Sequence, residues 1–216
     1  QPLYANVATI ITARSRFTRA PPFVCRAFGV YRAQKGRASN MTLWVFGYGS
    51  LLWNPGFTPV ETAHAKLDGY ARSFCMRSIH HRGTDDAPGL VLALDAHPDG
   101  ACDGLAMQMH EADYDVTMAY LRERELVSSA YLEKILPLTF ADGRKELAVT
   151  YVIDPDHVQY CGDLDLEEQA QIIATAVGGR GPNSEYLFNT AAHLAELGIP
   201  DAELNWLCDR VRTLIA

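Results

Sequence analysis

One stretch constrains this chain more than any other: Trp44-Val45-Phe46-Gly47-Tyr48-Gly49-Ser50-Leu51-Leu52-Trp53. An apolar run from Leu43 to Phe46 breaks abruptly into two glycines flanking a tyrosine. Four consecutive apolar residues rich in β formers, followed by glycine, predict a buried strand that ends in a tight turn. Glycine lets the backbone turn sharply and lets another group approach it closely. A strand that ends in exposed N–H groups suits an anion or a developing oxyanion. Taken alone, the same residues serve equally well as a plain strand-to-loop corner.

The rest of the composition sets bounds. A chain of 216 residues suits one domain, or one domain with an appendage, and 48% hydrophobic residues are enough for a full core. No apolar run approaches the roughly 20 residues of a membrane span. The net charge of −7 and a pI near 5.4 argue against a nucleic-acid or anionic-membrane surface. Seven of the 19 basic residues fall in residues 1–40, which hold no Asp or Glu, so residues 41–216 carry 12 basic against 26 acidic residues. That is a compositional break. Residues 1–40 are expected to be a disordered arm or non-native leader, with the folded domain over 41–216. The five cysteines are odd in number and widely spaced, which fits free thiols in a reducing, cytoplasmic compartment.

Downstream, Asn54-Pro55-Gly56 is strong turn chemistry. A strand is predicted over 70–78, with Ala71, Ser73 and Cys75 on one face and Arg72, Phe74 and Met76 on the other. Further strands are predicted over 90–95 and 104–109, joined by Pro98-Asp99-Gly100, and over 131–140 and 146–153, joined at Asp142-Gly143. Three helices are expected to close the chain. They cover about 166–177, from an N-cap at Asn183 or Ser184 to 197, and from about 200 onward. The adjacent His80 and His81 point to opposite faces of an extended chain, and the other histidines are isolated, so no metal site is expected.

A helix over 111–125 carries the best candidate for chemistry. At about 100° per residue, Tyr114, Met118, Leu121 and Glu125 fall within about 40° of one line. Val116, Ala119, Tyr120 and Glu123 lie on the far side, while Arg122 and Arg124 point away on either flank. Glu125 thus ends an apolar stripe. A carboxylate there is desolvated, which raises its pKa toward that of a working base or acid. The alternative is a helix that frays at this point and leaves Glu125 wet.

In combination these pieces resemble one family. Phe46-Gly47-Tyr48-Gly49-Ser50-Leu51-Leu52-Trp53, Tyr70 through Gly83, Tyr120-Leu121 through Arg124-Glu125, and Gly181-Pro182-Asn183-Ser184-Glu185-Tyr186-Leu187 are similar, in order, to segments of the ChaC γ-glutamylcyclotransferases. The resemblance covers nearly all of residues 43–197 and omits the leader. One departure is Leu126-Val127-Ser128-Ser129-Ala130-Tyr131, where some members have Gly-Gly-Tyr. The resemblance implies an α+β fold: a small mixed β-barrel with packed helices in a single domain. It implies cleavage of glutathione to 5-oxoproline and cysteinylglycine without a cofactor. Glu125 would be the catalytic base and acid. Tyr48, Gly49, Ser50, Leu51, Arg72 and Tyr186 would bind substrate. A monomer is the expected state. Two other readings stay open at this level: a cyclotransferase for γ-glutamyl amino acids or amines, and a non-catalytic regulatory or binding protein of the same fold. A hydrolase releasing free glutamate is a third.

Overall fold

The computed structural model describes residues 44–216. The basic leader expected over residues 1–40 lies outside the described residues. Strand β1 is Trp44–Gly47, followed by a 3-10 turn at Ser50–Leu52. Two long strands come next, β2 at Thr62–Ser78 and β3 at Gly89–Gln108. Helix α1 spans Tyr114–Glu125, and β4 (Tyr131–Phe140) and β5 (Lys145–Ile153) follow. Helix α2 is Leu166–Thr175, the two-residue strands β6 (Val177–Gly178) and β7 (Gly181–Pro182) form a small hairpin, and α3 (Asn183–Glu196) and α4 (Ala202–Ile215) end the chain.

The five longer strands close into a barrel in the order β1-β3-β2-β4-β5, with β5 pairing parallel to β1 and every other pairing antiparallel. This is the mixed barrel with packed helices that the sequence implied. β1 is covered on both faces, which explains its unbroken apolar run. Trp44 and Phe46 pack inside with Leu67, Leu94, Leu138 and Phe140, while Val45 joins Met107, Met118, Leu121 and Val149 in the layer beneath α1. A third cluster binds α2, α3 and α4 to the strands through Phe74, Leu90, Ile173, Leu187, Leu207 and Val211.

Helix α1 keeps the expected stripe: Met118 and Leu121 are buried, while Val116 and Tyr120 are exposed. Its first residues, Glu111–Asp113, form a separate 3-10 turn. The far end does not fray, because the Leu126 N–H still bonds the Arg122 carbonyl at 3.0 Å. The β4–β5 hairpin turns at Asp142-Gly143, where Gly143 has φ +85° and the Arg144 N–H bonds Asp142 Oδ1 at 3.0 Å.

Three expectations are corrected. The predicted strand over 70–78 is only the second half of β2. The strands predicted over 90–95 and 104–109 are two parts of one strand. Asp68 pairs with Ala101 and Tyr70 with Ala96, so residues 97–100 loop out opposite Gly69 while the pairing resumes beyond them. The Pro98-Asp99-Gly100 chemistry makes a bulge in the strand and does not reverse the chain. Asn183 is also not a cap. Its side chain is fully buried, accepts from the Leu90 N–H at 2.6 Å and donates to the Leu90 carbonyl at 2.7 Å. It therefore pins the start of α3 to β3 as a neighbouring strand would. Helix α2 does have a side-chain cap, a reciprocal Asp165–Glu168 box.

A candidate active site between the glycine turn and the end of the first helix

The turn after β1 is built by close packing on one side and open space on the other. A Cβ at Gly47 would stand 2.9 Å from Met107 Cε and 3.2 Å from Leu51 Cβ, so a side chain here would press on both. A Cβ at Gly49 would meet nothing within 4 Å. The Leu52 N–H closes the 3-10 turn on the Gly49 carbonyl at 2.9 Å. Among the described residues, none accepts a hydrogen bond from the N–H of Gly49, Ser50 or Leu51. These are the unspent donors expected at the start of such a turn.

Arg72 fixes the turn from β2. Its Nε donates to the Tyr48 carbonyl at 2.7 Å, Nη2 to the Asp103 carbonyl at 2.6 Å, and Nη1 to Asp201 Oδ2 at 2.7 Å. Three separate segments are thereby tied to one guanidinium, whose side chain is 4% exposed. All three nitrogens face protein acceptors.

Glu125 comes to the turn from the end of α1. Its side chain is 18% exposed, and its Oε1 is buried with no hydrogen-bond partner. Arg124 Nε lies 3.0 Å from that oxygen, close enough for ionic attraction but without hydrogen-bond geometry. Burial pushes the Glu125 carboxyl above the ordinary carboxylate range, and the Arg124 charge partly opposes the rise. Arg124 does not point away, as the helical angle alone suggested. Its side chain reaches 74 positions back, with Nη2 donating to Ser50 Oγ at 2.8 Å and Nη1 to the Asn54 carbonyl at 2.5 Å.

A cavity of about 90 Å³ lies between these parts, lined by Tyr48, Gly49, Ser50, Leu51 and Glu125, by Val91 and Leu92, and by Tyr131, Tyr151 and Tyr186. Burial raises the pKa of all four phenols, so each stays neutral and acts as a dipole, not a charge. Tyr48 donates to the Tyr151 carbonyl at 3.0 Å. Tyr131 and Tyr186 converge on Leu92, the first donating to its carbonyl at 3.2 Å and the second accepting from its N–H at 3.4 Å. Leu92 lies two residues beyond Leu90, so its N–H and C=O face the same side, away from β2, where β1 does not extend, and β2 carries an extra residue opposite it. Ser73 pairs with Ala93 and Met76 with Val91, and Leu92 is left out of the register.

The structure thus gathers Tyr48, Gly49, Ser50, Leu51, Glu125 and Tyr186 around one cavity. It leaves Arg72 out of the lining and gives its guanidinium to the protein. The sequence reading missed Val91, Leu92, Tyr131 and Tyr151 as lining residues. Tyr151 left a trace: a phenol inside the apolar run Ala148–Ile153 needs a partner for its hydroxyl, and it finds Glu133 Oε2 at 3.3 Å. The His80–Gly83 segment supports the site indirectly. The His80 and His81 carbonyls accept from the Gly179 and Arg180 N–H groups, both at 2.9 Å, and dock the small hairpin that leads into α3 and Tyr186. Gly178 permits this contact, since a Cβ there would stand 2.4 Å from the Gly83 nitrogen. A second, larger groove of about 330 Å³ between α3 and α4 is lined mainly by apolar residues, and the one carboxylate in it, Asp201, is held by Arg72.

Comparison with known proteins agrees with this architecture. The family model for ChaC-like proteins matches residues 43–214. A glutathione-specific γ-glutamylcyclotransferase of Escherichia coli (strain K12) is 37% identical over 180 residues, spanning 83% of this chain and 77% of that protein. Gamma-glutamylcyclotransferase 2-3 of Arabidopsis thaliana is 35% identical over 182 residues, spanning 82% and 92%. A crystal structure of a yeast γ-glutamyl cyclotransferase specific to glutathione has the same fold, with a TM-score of 0.70 at 24% identity, covering 81% of this chain and 100% of that one. With residues 43–214 matched as a unit and relatives above 30% identity along most of their length, the chain belongs to the ChaC-like family.

Proposed function

We propose that this chain is a glutathione-specific γ-glutamylcyclotransferase in which Glu125 serves as both general base and general acid. The observation that carries this reading is the buried, unpartnered Glu125 Oε1 on the wall of a cavity whose opposite wall is a turn with three unspent N–H groups. The names of the relatives supply the substrate.

The reaction needs no protein nucleophile. The substrate's own α-amine attacks the γ-carbonyl carbon, the new C–N bond closes a five-membered lactam, and the bond to the cysteinyl nitrogen breaks. No water is consumed. Folding the substrate into this geometry is the main task, and well-oriented intramolecular attack is worth roughly 7–11 kcal/mol. The α-amine enters mostly as an ammonium. Glu125 takes its proton and returns one to the departing cysteinyl amine. The N–H groups of Gly49, Ser50 and Leu51 stabilise the oxygen of the tetrahedral intermediate, and loss of one such donor typically costs about 3–4 kcal/mol. Neutral phenols line the remainder without competing for the proton.

The cavity, at about 90 Å³, is well below the roughly 300–1,000 Å³ of a pocket that encloses a drug-sized ligand. It suits the γ-glutamyl head, with the cysteinylglycine tail extending outward. That size favours a second reading, a cyclotransferase for other γ-glutamyl compounds. The test is mass spectrometry of products from glutathione and from γ-glutamyl-alanine. Stoichiometric 5-oxoproline and cysteinylglycine from glutathione alone supports the proposal. Equal turnover of both substrates supports the second reading, and free glutamate would establish a hydrolase. The four cysteines among the described residues are all free and buried, in keeping with a cytoplasmic setting. No helix among the described residues is long and apolar enough to cross a membrane.

A further inference from the structure

The last turn of α1 grips the glycine turn through more than one contact. Arg124 reaches Ser50 Oγ and the Asn54 carbonyl. One helical turn earlier, the Tyr120 ring covers Gly56, where φ is +78° and a Cβ would stand 2.0 Å from a ring carbon. The same guanidinium places Nε 3.0 Å from Glu125 Oε1. One side chain therefore touches both walls of the cavity. Its neighbour Arg122 is fully engaged elsewhere, in a paired bond to Glu133 at 2.8 and 2.7 Å.

We propose that Arg124 is the positioning residue of this site: it sets the separation between the Gly49–Leu51 turn and Glu125, and it stands beside the Glu125 carboxylate without hydrogen-bonding it. The inference rests on the reading of Glu125 as the base. The missing hydrogen bond matters here. A hydrogen bond from Arg124 would take up a lone pair of Oε1 and make the carboxylate a weaker base, whereas a cation beside it but unbonded leaves that oxygen open. Geometry selects arginine for this task. A planar fork can span Ser50, Asn54 and Glu125 at once, and a lysine ammonium presents its charge at a single point. The groups facing Glu125 from the other elements are Tyr48 of the turn, Tyr131 of β4, Tyr151 of β5 and Tyr186 of α3, all held neutral by burial. Arg124 is thus the charged group that acts on it.

The test is steady-state kinetics across pH on the full chain, with the parent, Arg124→Gln, Arg124→Lys and Ser50→Ala compared. Arg124→Gln should lower kcat about 100-fold, the scale of a misplacement near 1 Å, with a much smaller change in KM. Its acidic limb should move to higher pH, since the cation that lowers the Glu125 pKa is gone. Arg124→Lys keeps a charge, so its acidic limb should stay near the parent's while kcat still falls. Ser50→Ala should lower kcat modestly with no shift in the limb. Millimolar guanidinium should restore part of the lost kcat of Arg124→Gln, and equal sodium chloride should not. An unmoved acidic limb with kcat near the parent's would overturn the inference, as would a loss that follows thermal unfolding alone. If Arg124→Gln does not fold, the Arg124→Lys profile decides, because full kcat there removes the need for a fork. A parent chain that makes no 5-oxoproline from glutathione would instead sink the functional reading itself.

Discussion

Two arginines hold the same turn, and they differ in what they leave unsatisfied. Arg72, from β2, spends its guanidinium on the Tyr48 and Asp103 carbonyls and on Asp201, at 2.6 to 2.7 Å. Arg124, from α1, bonds Ser50 and Asn54 but stands beside Glu125 without bonding it. The first arrangement is a closed account of donors and acceptors, which is what a rigid support requires. The second keeps one buried carboxylate oxygen open. An unsatisfied buried polar atom is costly, and this one faces a cavity, which is what the proposed base requires. Arg72 and Arg124 sit on equally suggestive motifs in the sequence; only their partners distinguish support from chemistry.

The sharpest way to test that contrast is at Glu125. Glu125→Gln keeps the shape and removes the proposed base, so kcat should fall by roughly 10²–10⁴. The fold should survive and even gain at neutral pH. A carboxyl whose folded pKa is raised contributes stability below its unfolded pKa and loses it as pH rises through the folded value. Glutamine has no such loss. The stability gap between Glu125→Gln and the parent should therefore open with rising pH and vanish in acid, as read by denaturant titration at several pH values. A variant less stable at neutral pH would contradict the picture of a strained carboxylate.

Arg72→Met tests the other half. Breaking a buried pair leaves Asp201 and two carbonyls without their donor and should cost about 3–5 kcal/mol. For a domain of this size that lowers Tm by the order of 10 °C. The fraction that remains folded should show the parental acidic limb in its pH profile. A shifted limb would mean that Arg72 acts on the chemistry directly.

Gly49→Ala sharpens the comparison at the turn itself. The added methyl meets no protein atom within 4 Å, so Tm should hold. On the proposed function the methyl enters the substrate's space, and kcat/KM should drop roughly 10- to 100-fold. A melting loss with unchanged kinetics would show that the open space is not where substrate lies. The smallest effect is expected at Ser129, which has φ +56°, in the loop between α1 and β4. Ser129→Gly should relieve about 1 kcal/mol of backbone strain, raise Tm by about 2–4 °C and leave turnover unchanged.

Much of this was legible in the residues. The apolar run before Gly47 marked a strand covered on both faces, and the stripe ending in Glu125 placed the carboxylate at the edge of the core. The β4–β5 hairpin was readable because Asp142-Gly143 acts locally. Other features depended on pairing across the sheet. Pro98-Asp99-Gly100 has turn chemistry, yet the long-range register with β2 carries the strand past it. Helical angles gave the directions of Arg122 and Arg124 at the Cα, but a long side chain can turn back toward a partner that sequence does not place. Asn183 had the chemistry of a cap, and the backbone edge of Leu90 that no strand pairs claimed it instead.

The slipped register at Leu92 has a consequence for measurement. Its amide hydrogen is held by a phenol at 3.4 Å, whereas its neighbours Val91 and Ala93 belong to the paired register. Local opening there requires only the displacement of a side chain. The Leu92 amide should exchange with solvent deuterium faster than those of residues on either side, on the scale of local rather than global unfolding. A ligand that seats itself against Tyr186 should slow that single site, which makes one backbone proton a label-free gauge of cavity occupancy.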